Sequence, residues 1–257
     1  MEDNKAVGIG SALLVVVIGA GIYFYKFAAK TPPPAEPAPA AEAPAPAAAP
    51  GAPPAEPLPR LEESDGFIRR KAAALSADPA YAAWLKTEDL LPRFAAAVNM
   101  IGQGRVPKDG LAFMAPRKKF KARKKGDDFF TDPASYARYD AAAGVVGSID
   151  AAASAKLFKD LKPLFQEAYM GLGEQRGDVQ DSIVRAAQEL LKAPVVAAPP
   201  ALKEKGIVYA YVDDSLERLS PAQKQLLRMG PKNQATIQAK LREFLHALGV
   251  PASSLPQ

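Results

Sequence analysis

Between Arg117 and Lys125 every residue except Phe120 and Ala122 is a lysine or an arginine. On a strand, period-two geometry would set Arg117, Lys119, Lys121, Arg123 and Lys125 on one face and turn Phe120 and Ala122 toward a core. Like charges about 7 Å apart repel, so such a row costs stability unless something anionic lies over it. One reading is therefore a site for the phosphates or carboxylates of a lipid surface, an envelope polymer or an acidic protein. The competing reading is that edge lysines guard against edge-to-edge pairing and that a charged hairpin tip is merely solvated. Removing the seven cations of this stretch would turn the net charge from +5 to −2, so the excess is local. Phe129 and Phe130 must face opposite sides of their strand, which places one of them beside the cations.

No other cluster carries a catalytic signature. The chain has no cysteine and a single histidine, so neither a metal site nor a cofactor is expected. That histidine, His246, lies off the Leu241/Phe244/Leu248 stripe and reads as an exposed surface residue. The patterns H-E-x-x-H, G-x-x-x-x-G-K-[ST], G-x-S-x-G and S-x-x-K are absent. The acidic pairs Glu62/Glu63, Glu88/Asp89, Asp127/Asp128 and Asp213/Asp214 fall at helix starts, turns or strand ends, where capping and solvation explain them. Two other readings stay open. One is an enzyme on cell-wall glycan with Glu167 as general acid, which requires a cleft that raises its pKa. The other is nucleic-acid binding through the ribbon and its adjacent phenylalanine, which requires a cytoplasmic domain.

The elements that must hold these residues are mostly helical. Helices are expected over Glu62–Leu75 and over Pro79–Lys86, the latter capped by Asp78. A longer helix capped by Thr87 follows, with Leu90, Leu91, Phe94, Val98 and Ile101 at helical spacing. Asp132-Pro133 opens another helix. Asp150–Leu172 carries a wide apolar stripe that Pro163 should kink, or break near Lys159. Asp178 caps Val179–Lys192. Ser220-Pro221-Ala222-Gln223 is a capping box, Gly230-Pro231 stops that helix and starts the next, and Gly249 ends the last one. Strands are expected at Lys119–Arg123 and Phe129–Thr131, joined through Lys125-Gly126-Asp127, with Ile207–Val212 as a third. The fold class is mainly α with a small antiparallel β element.

The chain divides into three parts. Residues 1–30 carry Ala6–Tyr25, twenty residues without a charge, enough for a helix of about 30 Å that spans a bilayer. A cleaved signal peptide fits worse, because the small-x-small pair Gly19 and Gly21 lies inside the apolar run. Residues 31–59 contain twelve prolines and form a disordered Pro/Ala stalk that reaches about 90 Å if extended. Residues 60–257 make the globular domain. The short N-terminal tail, the stalk and the absence of cysteine favour a single-pass inner-membrane protein with its domain in the periplasm, although Lys26 and Lys30 beyond the span tilt the positive-inside count the other way.

Three motifs add a resemblance. Asp132-Pro133-Ala134-Ser135-Tyr136-Ala137-Arg138-Tyr139-Asp140, Leu161-Lys162-Pro163-Leu164-Phe165-Gln166-Glu167-Ala168-Tyr169, and Ser220 through Gly230-Pro231 together resemble the bacterial domain-of-unknown-function family 3014. The similarity would cover nearly all of Leu58–Pro251. It implies an envelope protein with one N-terminal span and a variable linker, and brings no activity and no catalytic residues. The basic ribbon lies outside these motifs. Beside them sit four polar candidates for a secondary site, Tyr136, Arg138, Arg228 and Asn233, which capping and tertiary hydrogen bonding would explain equally well.

Overall fold

The computed structural model describes residues 56–256, apart from 109–110, 112–113, 117, 174–176 and 207. The anchor expected at Ala6–Tyr25, nearly all of the stalk, and Arg117 lie outside these residues. Among the described residues no single helix is long and apolar enough to cross a membrane.

Three helices come first: α1 (Ser64–Ala72), α2 (Pro79–Trp84) and α3 (Leu90–Gly102). A hairpin, β1 (Ala122–Lys125) and β2 (Asp128–Thr131), leads into α4 (Pro133–Ala137), α5 (Asp140–Ser148), α6 (Ala151–Asp160), α7 (Lys162–Met170) and α8 (Val179–Leu191). A second hairpin, β3 (Ala201–Lys205) and β4 (Val208–Tyr211), precedes α9 (Asp214–Glu217), α10 (Pro221–Arg228) and α11 (Pro231–Leu248). The four strands form one antiparallel sheet in the order β1-β2-β3-β4. The domain is thus mainly helical with a small antiparallel sheet, of which β3 was not expected from the sequence.

Most helix starts are fixed locally. Asp78, Asp132, Asp150, Asp178 and Asp213 each accept a backbone N–H of their own first turn, and Ser220 with Gln223 forms a full capping box. The start of α3 departs from expectation. Thr87 does not cap it; the helix begins at Leu90, behind Asp89 in the left-handed region at φ 56°. The missing cap comes from another helix. The Asp65 carboxylate of α1 accepts the N–H groups of Asp89 and Leu90, both at 2.8 Å, and Arg69 steadies it at 3.2 Å. The break before Pro163 falls at Leu161, which leaves the proline in the first turn of α7, where a missing donor costs little.

The core is made where α3 packs on α7 and α8, and where α11 crosses α5 and α6. Phe94 meets Phe165 edge-on at 5.0 Å, and Phe158 lies 5.2 Å from the same ring. Small side chains on α5 let α11 approach closely: a Cβ on Gly147 would stand 2.9 Å from Thr236 Cγ2. From α11, the buried amides of Gln234 and Gln238 reach the carbonyls of Leu190, Ala193 and Pro194 at and just beyond the end of α8.

Two buried phenols give the fold an alkaline limit. Burial pushes Tyr81 up to about 12, while its hydroxyl donates to Ala72 O, and pushes Tyr211 up to about 12. In the unfolded chain both titrate near 10. From pH ~10 upward the unfolded state therefore releases protons that the folded state still holds, and stability falls until the folded phenols titrate. Denaturant unfolding across this window should show a decline of roughly 2 kcal/mol for each phenol. Tyr81→Phe should remove its share of the slope; an unchanged slope in that variant would contradict the assignment.

Candidate functional site

The cationic face is set by strand register. Arg123 pairs with Phe130 and Lys125 with Asp128; Phe130 pairs in turn with Ala201. On the next strand pair, Lys203 faces Ala210 and Lys205 faces Val208. Cross-strand partners share a face, and so do residues two apart. Lys121, Arg123, Lys125, Lys203 and Lys205 therefore lie on one side of the sheet, all exposed. The other side carries Phe120, Ala122, Phe129, Leu202, Tyr209 and Tyr211, packed on Leu216 and Leu227. Phe120 and Ala122 face inward as the sequence indicates, and Phe130 is the phenylalanine beside the cations.

The expected strand Lys119–Arg123 is displaced toward the turn, and its cause is Ser135. This buried hydroxyl accepts the Lys121 N–H at 2.7 Å and donates to the Lys121 carbonyl at 2.9 Å. Residues ahead of Ala122 are thereby bound to the start of α4. Arg138 completes the clamp: Nη1 donates to Lys118 O at 3.0 Å, Nε donates to Ser135 O at 2.9 Å, and the guanidinium lies 5.7 Å from the Phe120 ring centroid. Burial pulls the Arg138 pKa down from its ordinary value. Lys119 is exposed on the clamped segment, just ahead of the strand.

Two of the five outward cations lie on β3, an interior strand roughly 10 Å from β1. Their signal was present in Ala201-Leu202-Lys203-Glu204-Lys205, a period-two pattern ending at Gly206. None of the five makes an ion pair among the described residues. Asp128 is the acidic neighbour opposite Lys125, and Asp132 is committed to the Ala134 N–H of α4. Half-exposed Val208 and Val212 flank the cations on the same side. The far edge of the sheet is closed differently: Glu217 Oε2 accepts the Tyr211 N–H at 3.1 Å. Burial works to raise the Glu217 pKa, but the Tyr211 N–H and Lys224 outweigh it, and the carboxyl titrates below its ordinary value.

The secondary polar candidates meet at the joint between sheet and helices. The Asn233 amide nitrogen lies 3.2 Å from Tyr136 O, 3.0 Å from Met229 O and 2.9 Å from Asp140 Oδ1. Tyr136, raised in pKa chiefly by burial, is hydrogen-bonded to Thr131 of β2, and Arg228 faces the Tyr211 hydroxyl of β4. These contacts account for Tyr136, Arg138, Arg228 and Asn233 as braces, with their polar atoms turned to the protein. Glu167 is exposed on α7, which removes the cleft that a glycan-cleaving acid requires. His246 is exposed as expected, and no cluster of metal-ligating side chains occurs among the described residues.

The architecture defines a helical body carrying a four-stranded antiparallel sheet whose open face is basic. A family model described as a protein of unknown function, DUF3014, matches residues 90–245, more than half of the chain. The chain belongs to that family. No curated protein and no solved structure matches it.

Proposed function

We propose that this domain is a non-enzymatic binding module, held by its N-terminal anchor and stalk at the bacterial inner membrane and displayed in the periplasm. Its ligand is anionic: an acidic protein, an envelope polymer or an anionic lipid surface. The observation that carries the reading is the position of Lys203 and Lys205. Edge protection accounts for cations on β1, but an interior strand has no free edge to protect. A face that gathers cations from both strands, with no ion pair closing on them among the described residues, lowers its self-repulsion when an anion covers it.

The test uses full-length protein in nanodiscs of zwitterionic lipid, titrated with polyglutamate, an anionic polysaccharide and anionic vesicles at rising salt. Binding to at least one of these should weaken steeply with ionic strength, as it does for contacts screened within a Debye length. Binding that ignores salt, or no binding at low salt, refutes the proposal. The strongest of the three probes names the partner class.

A further inference from the structure

An internal cavity of about 160 Å³ lies in the helical body, away from the sheet. Its walls come from α3, α7 and α8 on one side and from α5, α6 and α11 on the other, with α1 and α2 closing one end. The sequence explains the space. The lining includes Ala72, Ala151 and Ala187, buried side chains too short to close the space among Phe94, Phe158, Phe165 and Ile183. Interiors are otherwise close-packed, so an opening of this size stands out.

Its chemistry is apolar. Of the lining residues only Tyr81, Ser154 and Lys240 carry side-chain polar atoms, and each already has a partner. The Tyr81 hydroxyl donates to Ala72 O at 3.1 Å, Ser154 Oγ donates to Asp150 O at 2.6 Å, and Lys240 Nζ pairs with Glu243 at 2.6 Å. Water needs two to four polar partners to settle in a cavity, and the side chains here offer only two hydroxyls, each already donating to a backbone carbonyl; apolar cavities of about 150 Å³ stay dry and accept benzene-sized groups. Half-buried Leu157, Leu241 and Phe244 continue the lining toward the surface. There the Lys240 stem borders the mouth and carries its ammonium outward. Lys240 is 20% exposed and Glu243, its partner, 56%, so the pair is partly buried and an incoming anion must take the place of the Glu243 carboxylate.

We propose that this cavity is a binding site for the hydrocarbon tail of a single-chain anionic amphiphile, a fatty acid or a lysophospholipid, whose head group meets Lys240. The cavity is large enough for the end of one tail, a group the size of a benzene ring. The cation at its rim selects the head, and the closed apolar end excludes anything that needs a hydrogen bond there.

Full-length protein in nanodiscs, photolabelled with amphiphiles carrying a diazirine at the tail end, tests this. The label should map to peptides bearing Phe94, Phe158 and Phe244, for the fatty acid, the lysophospholipid or both, which identifies the source of the tail. Ala187→Leu, which fills the cavity, should cut that labelling about tenfold, the effect of losing roughly 1.4 kcal/mol of binding. Labelling of Ala6–Tyr25 should stay constant and serves as the internal control. Val98→Ile, a smaller filling change, is read alongside in case the first variant fails to fold. Label confined to Ala6–Tyr25, or cavity labelling unchanged in a folded filling variant, overturns the site. Equal labelling by a neutral monoacylglycerol, or by the fatty acid in Lys240→Gln, overturns the head-group assignment.

Discussion

Changing Lys121, Arg123 and Lys203 to glutamine together should weaken binding to an anionic partner about 100-fold. Each lysine or arginine near an anionic surface contributes about 1 kcal/mol, so three contribute about 3 kcal/mol, and 1.4 kcal/mol is a factor of ten. The three span both β1 and β3, so the variant interrupts the face rather than trimming one edge. The control changes exposed Lys156, Lys192 and Lys232 of the helical body to glutamine, with the same loss of net charge. Affinity measured at fixed low salt should fall far less in the control. Equal losses in the two variants would mean that net charge, and not this face, attracts the ligand. Folding should be untouched in both, since every altered side chain is exposed.

Gly230→Ala should be the most damaging single substitution at the joint between sheet and helices. Gly230 has φ 83° and ψ 160°, a backbone region essentially restricted to glycine. A Cβ there would also stand 2.6 Å from Tyr136 Cγ and 2.9 Å from Tyr136 Cβ. The conformational strain alone is worth about 1–3 kcal/mol. Tyr136 cannot retreat freely, because its carbonyl receives Asn233 and its ring leads to Thr131 of β2. The sum should reach about 3 kcal/mol, which for a domain of this size lowers Tm by roughly 6–12 °C. Gly126→Ala is the comparison: φ there is 63°, but nothing lies within 4 Å of the added carbon. A Gly230→Ala protein melting no lower than the Gly126→Ala protein would show that the Tyr136 contact is slack.

The parts of this fold that local chemistry decides were legible in the sequence. Ser220 and Gln223 reach each other within one helical turn, Asp78 and Asp178 cap their own helices, and Pro163 breaks the long stripe close to where its ring demands. Where a partner lies far along the chain, the sequence gives no sign. Asp65 caps α3 across 24 residues, whereas local spacing points to Thr87. Ser135 binds Lys121 across 14 residues and shifts the start of β1. The candidate site is half legible: alternation in the ribbon locates the β1 cations, but the same alternation at Lys203 and Lys205 is a short Lys-Glu-Lys run that resembles any solvated turn. Packing volume is less legible still. Alanine-rich α5 and α6 suggest close helix contact, and only the three-dimensional arrangement shows that a space stays open between them and α3, α7 and α8.

The two rims of the sheet differ in how they resist growth. At β4 the backbone donor of Tyr211 is already taken by Glu217, so an incoming strand would first have to displace a carboxylate that Lys224 holds in place. At β1 no such obstacle occurs among the described residues, but a second copy arriving there would bring its own cations against Arg123 and Lys125. Self-stacking into fibres is thus discouraged by occupancy at one rim and by repulsion at the other. An extended segment rich in aspartate or glutamate meets neither obstacle at β1, so the device that keeps identical molecules apart leaves that rim open to a stranger of opposite sign.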